Sequence, residues 1–165
     1  MRDAIDTKRE SPPAFDVDGM LGRVAKWLRI LGIDAAFPCS VPSQGRFFVT
    51  TRKGTQPPGI VRIAAGTVEE QLKEVLDRTG VEPDPDLLFS RCLICNVPVR
   101  EVPRAGVERK VPVAVFSMTS TFHECPNCGR VYWEGTHESR VRRRLERMDI
   151  VAMGKSGLED GTREV

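Results

Sequence analysis

Two short cysteine motifs constrain this chain more than any other feature: Cys92-Leu93-Ile94-Cys95-Asn96 and Cys125-Pro126-Asn127-Cys128-Gly129. Each is a tight turn that aims two thiolates at one point while its backbone amides face the sulfurs, and Asn96 and Gly129 stand where such a turn wants a positive φ. Four thiolates complete a tetrahedral zinc ion and leave no position for water or substrate, so the expected site is structural. A redox pair of thioredoxin type would need one CxxC opening a helix in a βαβ unit, whereas both pairs here precede strand-like segments. A ribbon of about 45 residues buries too little surface to be stable alone, and zinc binding supplies on the order of 10–16 kcal/mol. His123 and His137 are read as ordinary polar residues and Cys39 as a lone buried thiol.

The rest of the chain divides around this unit. Residues 1–13 are polar, end in Ser11-Pro12-Pro13 and lack an apolar period, and residues 150–165 are similar, so both are expected to be flexible tails. Residues 14–17 alternate as a short strand ending at Asp18. Residues 19–31 form the clearest helix, with Leu21, Val24, Ala25, Leu28 and Leu31 on one face and Arg23, Lys26 and Arg29 on another. Gly32 ends it. Short strands are expected over 46–50 and 60–63, and a helix over 67–79 opened by the Thr67/Glu70 capping-box pair and closed by Gly80. Strand, helix, strand, strand, helix is an α/β order. Pro83-Asp84-Pro85-Asp86 cannot continue a helix, which puts a domain junction there: an α/β unit over 14–86, then a zinc ribbon with a C-terminal helix over 87–149.

Charge is distributed unevenly. Residues 1–90 carry 12 basic and 13 acidic side chains, residues 91–148 carry 11 and 6. After a strand at 130–133, a helix capped by Thr136 bears Arg140, Arg142, Arg143, Arg144 and Arg147, while Val141, Leu145 and Met148 dock it. Those arginines either meet the phosphates of a polyanion or solvate the helix. No apolar run reaches the roughly 18–20 residues of a membrane span, and the start is not signal-like, so no membrane association and a cytoplasmic location are expected.

Four segments in this order, FDVDGMLGRVAKWLRIL (15–31), EEQLKEVL (69–76), FSRCLICN (89–96) and CPNCGRVYWEGTH (125–137), resemble the Mut-seven C-terminal RNase domain family over roughly residues 14–148. The resemblance implies an abbreviated PIN-like α/β sheet with flanking helices, followed by a small zinc-ribbon domain and a basic C-terminal helix. It also implies a ribonuclease in which carboxylates at strand ends hold Mg²⁺ or Mn²⁺. Asp18 matches the family's leading acidic position; on bare chemistry it serves equally as the N-cap of the first helix. Asp16 and Asp34 are further acids near strand ends.

The chain departs from the family pattern at two places. Thr51-Arg52-Lys53 stands where the family tends to read Thr-Arg-Asp, so Lys53 is expected beside Asp18 in the place of a metal ligand, and residues 35–45 replace a longer acidic segment and helix. Three readings follow: a metal-dependent ribonuclease built on Asp18; a protein that binds RNA through Arg23, Lys26, Arg29, Arg140, Arg142, Arg143, Arg144 and Arg147 without cutting it; and a zinc-stabilised module for a protein partner.

Overall fold

The computed structural model describes residues 12–54, 58–64 and 66–151. Strands β1 (Ala14–Asp18), β2 (Asp34–Cys39), β3 (Phe47–Thr50) and β4 (Ile60–Arg62) form a parallel sheet in the order β2-β1-β3-β4, with Val17 paired to Val49 and Val49 to Val61. Side chains alternate across a strand, so Phe15 and Val17 share one face and Asp16 and Asp18 the other. The first face is covered by α1 (Gly22–Ile30) and α2 (Val68–Thr79), whose Leu28, Leu72 and Val75 are fully buried with Phe15, Val17 and Val49. The second face is crossed by residues 40–46, which carry the chain from β2 past β1 to β3. The Ser43 amide on that crossing donates to Asp16 at 2.7 Å.

Helix boundaries follow local chemistry. A 3-10 turn, Gly19–Leu21, precedes α1. Gly32 ends α1 at φ 78°, with its amide bonded to the Arg29 carbonyl and the Ile33 amide to that of Leu28, the two bonds of a Schellman ending. A Cβ at Gly32 would also run into the Leu87 carbonyl, so no other residue fits there. Thr67 and Glu70 form the expected capping box, and Gly80 is left-handed at φ 65°.

β2 was not expected, because Ala35-Ala36-Phe37-Pro38 has no apolar alternation. It lies at the sheet edge, where a proline without an N–H is tolerated.

The cysteine half contains an antiparallel sheet, β5 (Arg100–Val102), β6 (Phe122–Glu124) and β7 (Val131–Trp133), in that spatial order, and a short helix α3 (Val113–Met118). Its core is small: Val107, Val111 and Phe122, flanked by partly buried neighbours such as Phe116 and Trp133. A core of that size buries little apolar surface.

Helix α4 (Thr136–Arg147) starts at Gly135 without a side-chain cap, so Thr136 is its first helical residue rather than its N-cap. Although sequence order groups it with the ribbon, it packs on the α/β body. Val141 and Leu145 join the core of Leu28 and Leu72, with Val151 just beyond. Burying those two α4 side chains contributes about 3–6 kcal/mol.

No helix among the described residues is long and apolar enough to cross a membrane. The segments expected to be tails, 1–13 and 150–165, lie outside the described residues except for 12, 13, 150 and 151.

Candidate metal centre and the acidic strand end

The two cysteine turns are built alike. In the first, the Cys92 amide donates to the Val97 carbonyl at 2.8 Å and the Asn96 amide to the Cys92 carbonyl at 3.0 Å; in the second, Cys125 and Arg130 pair at 2.9 Å and Gly129 and Cys125 at 2.9 Å. Asn96 and Gly129 take φ of 61° and 66°, as the turns demand.

The four ligand atoms of Cys92, Cys95, Cys125 and Cys128 lie within 4.8 Å of one another, and the Cys92 and Cys128 sulfurs are 3.8 Å apart. Bonds of about 2.3 Å from a central zinc give a tetrahedral edge of roughly 3.8 Å, so the set can hold such a metal ion.

Electrostatics favour a cation at the centre. Burial opposes the Cys92 thiolate, but the Tyr132 hydroxyl, donating at 3.1 Å, and the Cys95 and Ile94 amides outweigh it and bring that thiol down to about 6. Cys128, then burial and the other sulfurs, hold the Cys95 thiol up at about 12. A dication at the centre of the four sulfurs favours the thiolate form of its ligands.

Arg29 is the main tie between this cluster and the α/β body. It is 7% exposed, and its guanidinium donates to the carbonyls of Ala35 at 3.0 Å, Leu93 at 2.8 Å and Ile94 at 3.1 Å. Arg29 therefore cannot meet a phosphate, which corrects its assignment to an RNA-binding face. Asn96 adds a second tie: its amide group donates to Asp34 at 2.8 Å and its carbonyl oxygen accepts from the Ala35 amide at 3.0 Å. The Arg91 guanidinium adds a third, to the Gly32 carbonyl at 3.3 Å.

At the carboxyl end of β1, Asp18 is fully buried. Its Oδ2 accepts from the Thr50 hydroxyl at 2.7 Å and forms an ion pair with Arg52 Nε at 2.8 Å, and its Oδ1 accepts from Arg52 Nη2 at 3.2 Å and the Met20 amide at 3.3 Å. Burial raises its pKa, but Thr50, Met20 and Arg52 together hold it below the ordinary 3.8. The helix-cap reading is thus realised in the 3-10 turn. The cation beside Asp18 is Arg52; Lys53 is exposed, with no ion pair among the described residues.

Asp16 and Asp34 are also committed. Arg46 bridges them, with Nε on Asp16 at 2.6 Å and Nη2 on Asp34 at 2.8 Å. Both carboxyls lie below their ordinary value. For Asp16, burial opposes this and the Ser43 and Arg46 bonds prevail; for Asp34, the Arg46 bond is the largest cause. Among the described residues the four cysteines are the only group of three or more metal-ligating side chains. In this arrangement Asp18 offers no open position to a divalent ion of the Mg²⁺ or Mn²⁺ kind, because Oδ2 is held by the Thr50 hydroxyl and Arg52, and Oδ1 by Arg52 and the Met20 amide.

The remaining cations divide by what they touch. Arg23 and Lys26 on α1 and Arg140, Arg143 and Arg147 on α4 are exposed. Arg142 pairs with Glu138 at 2.7 Å and lies 5.2 Å over the Phe89 ring; Arg144 pairs with Glu69 and lies 5.2 Å over the Trp27 ring. Those two dock α4, which corrects the reading that all five arginines stand free. A cleft of about 450 Å³ runs along α4, lined by His137, Arg140, Val141, Arg143, Arg144 and Arg147. Arg46, Thr50, Asn96 and Tyr132 escaped the reading of the sequence as functional residues. Only Asn96 carried a signal, its place after a CxxC.

Fold and site together define a parallel α/β body whose acidic strand end is neutralised by arginine, clamped to a four-cysteine ribbon. The model of the Mut7-C RNAse domain matches residues 13–145, and the chain belongs to that family. Searches of curated proteins and of solved structures gave no match.

Proposed function

We propose that this protein is an RNA-binding member of its family, stabilised by zinc at the four cysteines, that does not cut RNA through a divalent-metal centre. The observation that carries this reading is Arg52 on Asp18. A fully buried carboxylate with a guanidinium across both oxygens has no lone pair aimed at an incoming ion, so a dication would first have to displace Arg52.

RNA is favoured as the ligand by family membership and by the exposed cations. Arg144 on Trp27 joins α4 to α1; Arg23 is one turn from Trp27 on α1, and Arg140 is one turn from Arg144 on α4. The exposed arginines therefore flank one contact rather than scatter. Phosphate contacts of this kind give affinity without reading bases.

Family membership favours a second reading, metal-dependent cleavage, and one assay separates the two. Labelled RNA incubated with purified protein should be bound but not cleaved, with or without Mn²⁺. Cleavage that requires Mn²⁺ and disappears in Asp18→Ala would overturn the proposal. Replacing Arg140, Arg143 and Arg147 together by alanine should weaken binding for all sequences alike. It should also reduce the slope of log K against log salt by about 2 for single-stranded RNA.

A further inference from the structure

We propose that the carboxyl edge of the sheet is an anion site, in which Arg52, aimed by Asp18, and the adjacent Lys53 receive a phosphate group of the RNA without a divalent ion. This deepens the RNA-binding reading and rests on it. Ligands of open parallel sheets bind outside the carboxyl ends of the strands. Here the ends of β1, β3 and β4 bring together Asp18, Arg52, Lys53 and Arg62, one fully buried carboxylate and three cations, while the Glu74 carboxylate on the Ala64 amide just past β4 is itself paired with Arg78. The edge that would hold a metal ion if it were acidic is electropositive toward solvent.

Arg52 is held at both ends. Its Nε and Nη2 are committed to Asp18, which Thr50 and Met20 fix in turn. Its amide donates to the Thr50 hydroxyl at 3.1 Å, while Arg62 braces the turn by donating to the Arg52 carbonyl at 2.8 Å and to the Gly54 carbonyl. Yet its side chain is 59% exposed, and Nη1 has no hydrogen-bond partner among the described residues. One edge of the guanidinium fork is spent on orientation and the other is presented to solvent. An arginine fixed beforehand loses less side-chain entropy on meeting a phosphate than a free one. Asp18 is a positioning residue in this scheme. Lys53, exposed beside it, adds a second charge.

The test uses the full chain and a fluorescein-labelled single-stranded oligoribonucleotide, with affinity measured across a salt series. Lys53→Ala, at an exposed position, should weaken binding several-fold and reduce the salt slope by about 0.7. Arg52→Ala would leave Asp18 buried and unpaired, so it is made together with Asp18→Asn. That double variant should lose roughly tenfold in affinity and a further 0.7 or so in slope. Asp18→Asn alone keeps the Arg52 cation but loosens its fork, and should lower affinity with little change in slope. If Lys53→Ala and the double variant bind with wild-type affinity and slope while the Arg140, Arg143 and Arg147 triple variant has lost binding, the edge is no phosphate site and the RNA-binding reading survives. If wild type itself binds no RNA, both fall.

Discussion

Replacing Arg29 by alanine should be among the most damaging single changes in this protein, and it separates two incompatible roles for one residue. As a phosphate contact, Arg29 would sit in solvent; its loss would change stability by no more than about 0.5 kcal/mol and reduce the RNA salt slope by about 0.7. In the structure it is buried and donates to the carbonyls of Ala35, Leu93 and Ile94. Hydrogen bonds from a charged donor contribute about 1.5–3 kcal/mol each, which would total roughly 4.5–9 kcal/mol if the three were independent. Ile94 is largely exposed, so water can reach part of the vacated space and recover some of that. An expected loss of about 3–5 kcal/mol remains, a large fraction of the 5–15 kcal/mol typical of a whole domain. Urea unfolding followed by circular dichroism measures it directly. Because Leu93 and Ile94 lie between the first two cysteines, Arg29→Ala should also release metal to a chelator faster than wild type. A variant within 0.5 kcal/mol of wild type that keeps its metal as tightly would refute the clamp.

Three further outcomes are expected. Elemental analysis should find about one zinc per chain; Cys92→Ser or Cys128→Ser should lose it and unfold the ribbon, Cys39→Ser should not, and full occupancy in Cys128→Ser would overturn the assignment. Asp16, Asp18 and Asp34 all have folded pKa values below their ordinary 3.8, so their contribution to stability is complete above that value and is lost as pH falls through the lower folded values. Urea midpoints should therefore drop below about pH 4. The drop should be shallower in Asp18→Asn, and parallel curves for the two proteins would contradict the burial and pairing of Asp18. Arg144→Ala removes the Glu69 pair and the Trp27 contact and should cost about 1 kcal/mol, whereas Arg143→Ala should stay within about 0.5 kcal/mol. Equal effects in thermal melts would mean that Arg144 does not dock α4.

Features that depend on spacing within one element were legible in the sequence. The cysteine quartet, the positive φ of Asn96 and Gly129, the capping box of α2 and the apolar stripe of α1 each involve residues a few positions apart, whose geometry the local backbone fixes. β2 and β6 were not legible, because short strands without clear alternation exist only through the neighbour they pair with. The cations show the same division. Arg23, Lys26 and Arg29 recur every third residue, and three residues of helix fall short of a full turn by about 60°, so Arg29 stands about 120° around α1 from Arg23. That rotation carries it under the cysteine turn, a fact that depends on a segment some sixty residues away. Likewise Arg52 rather than Lys53 reaches Asp18 because the pairing of β1 with β3 brings Thr50 and the residues after it to the end of β1. The sequence states which side chains are charged. Which of them remain in water depends on what the rest of the chain lays over them, and desolvation makes that difference worth several kcal/mol.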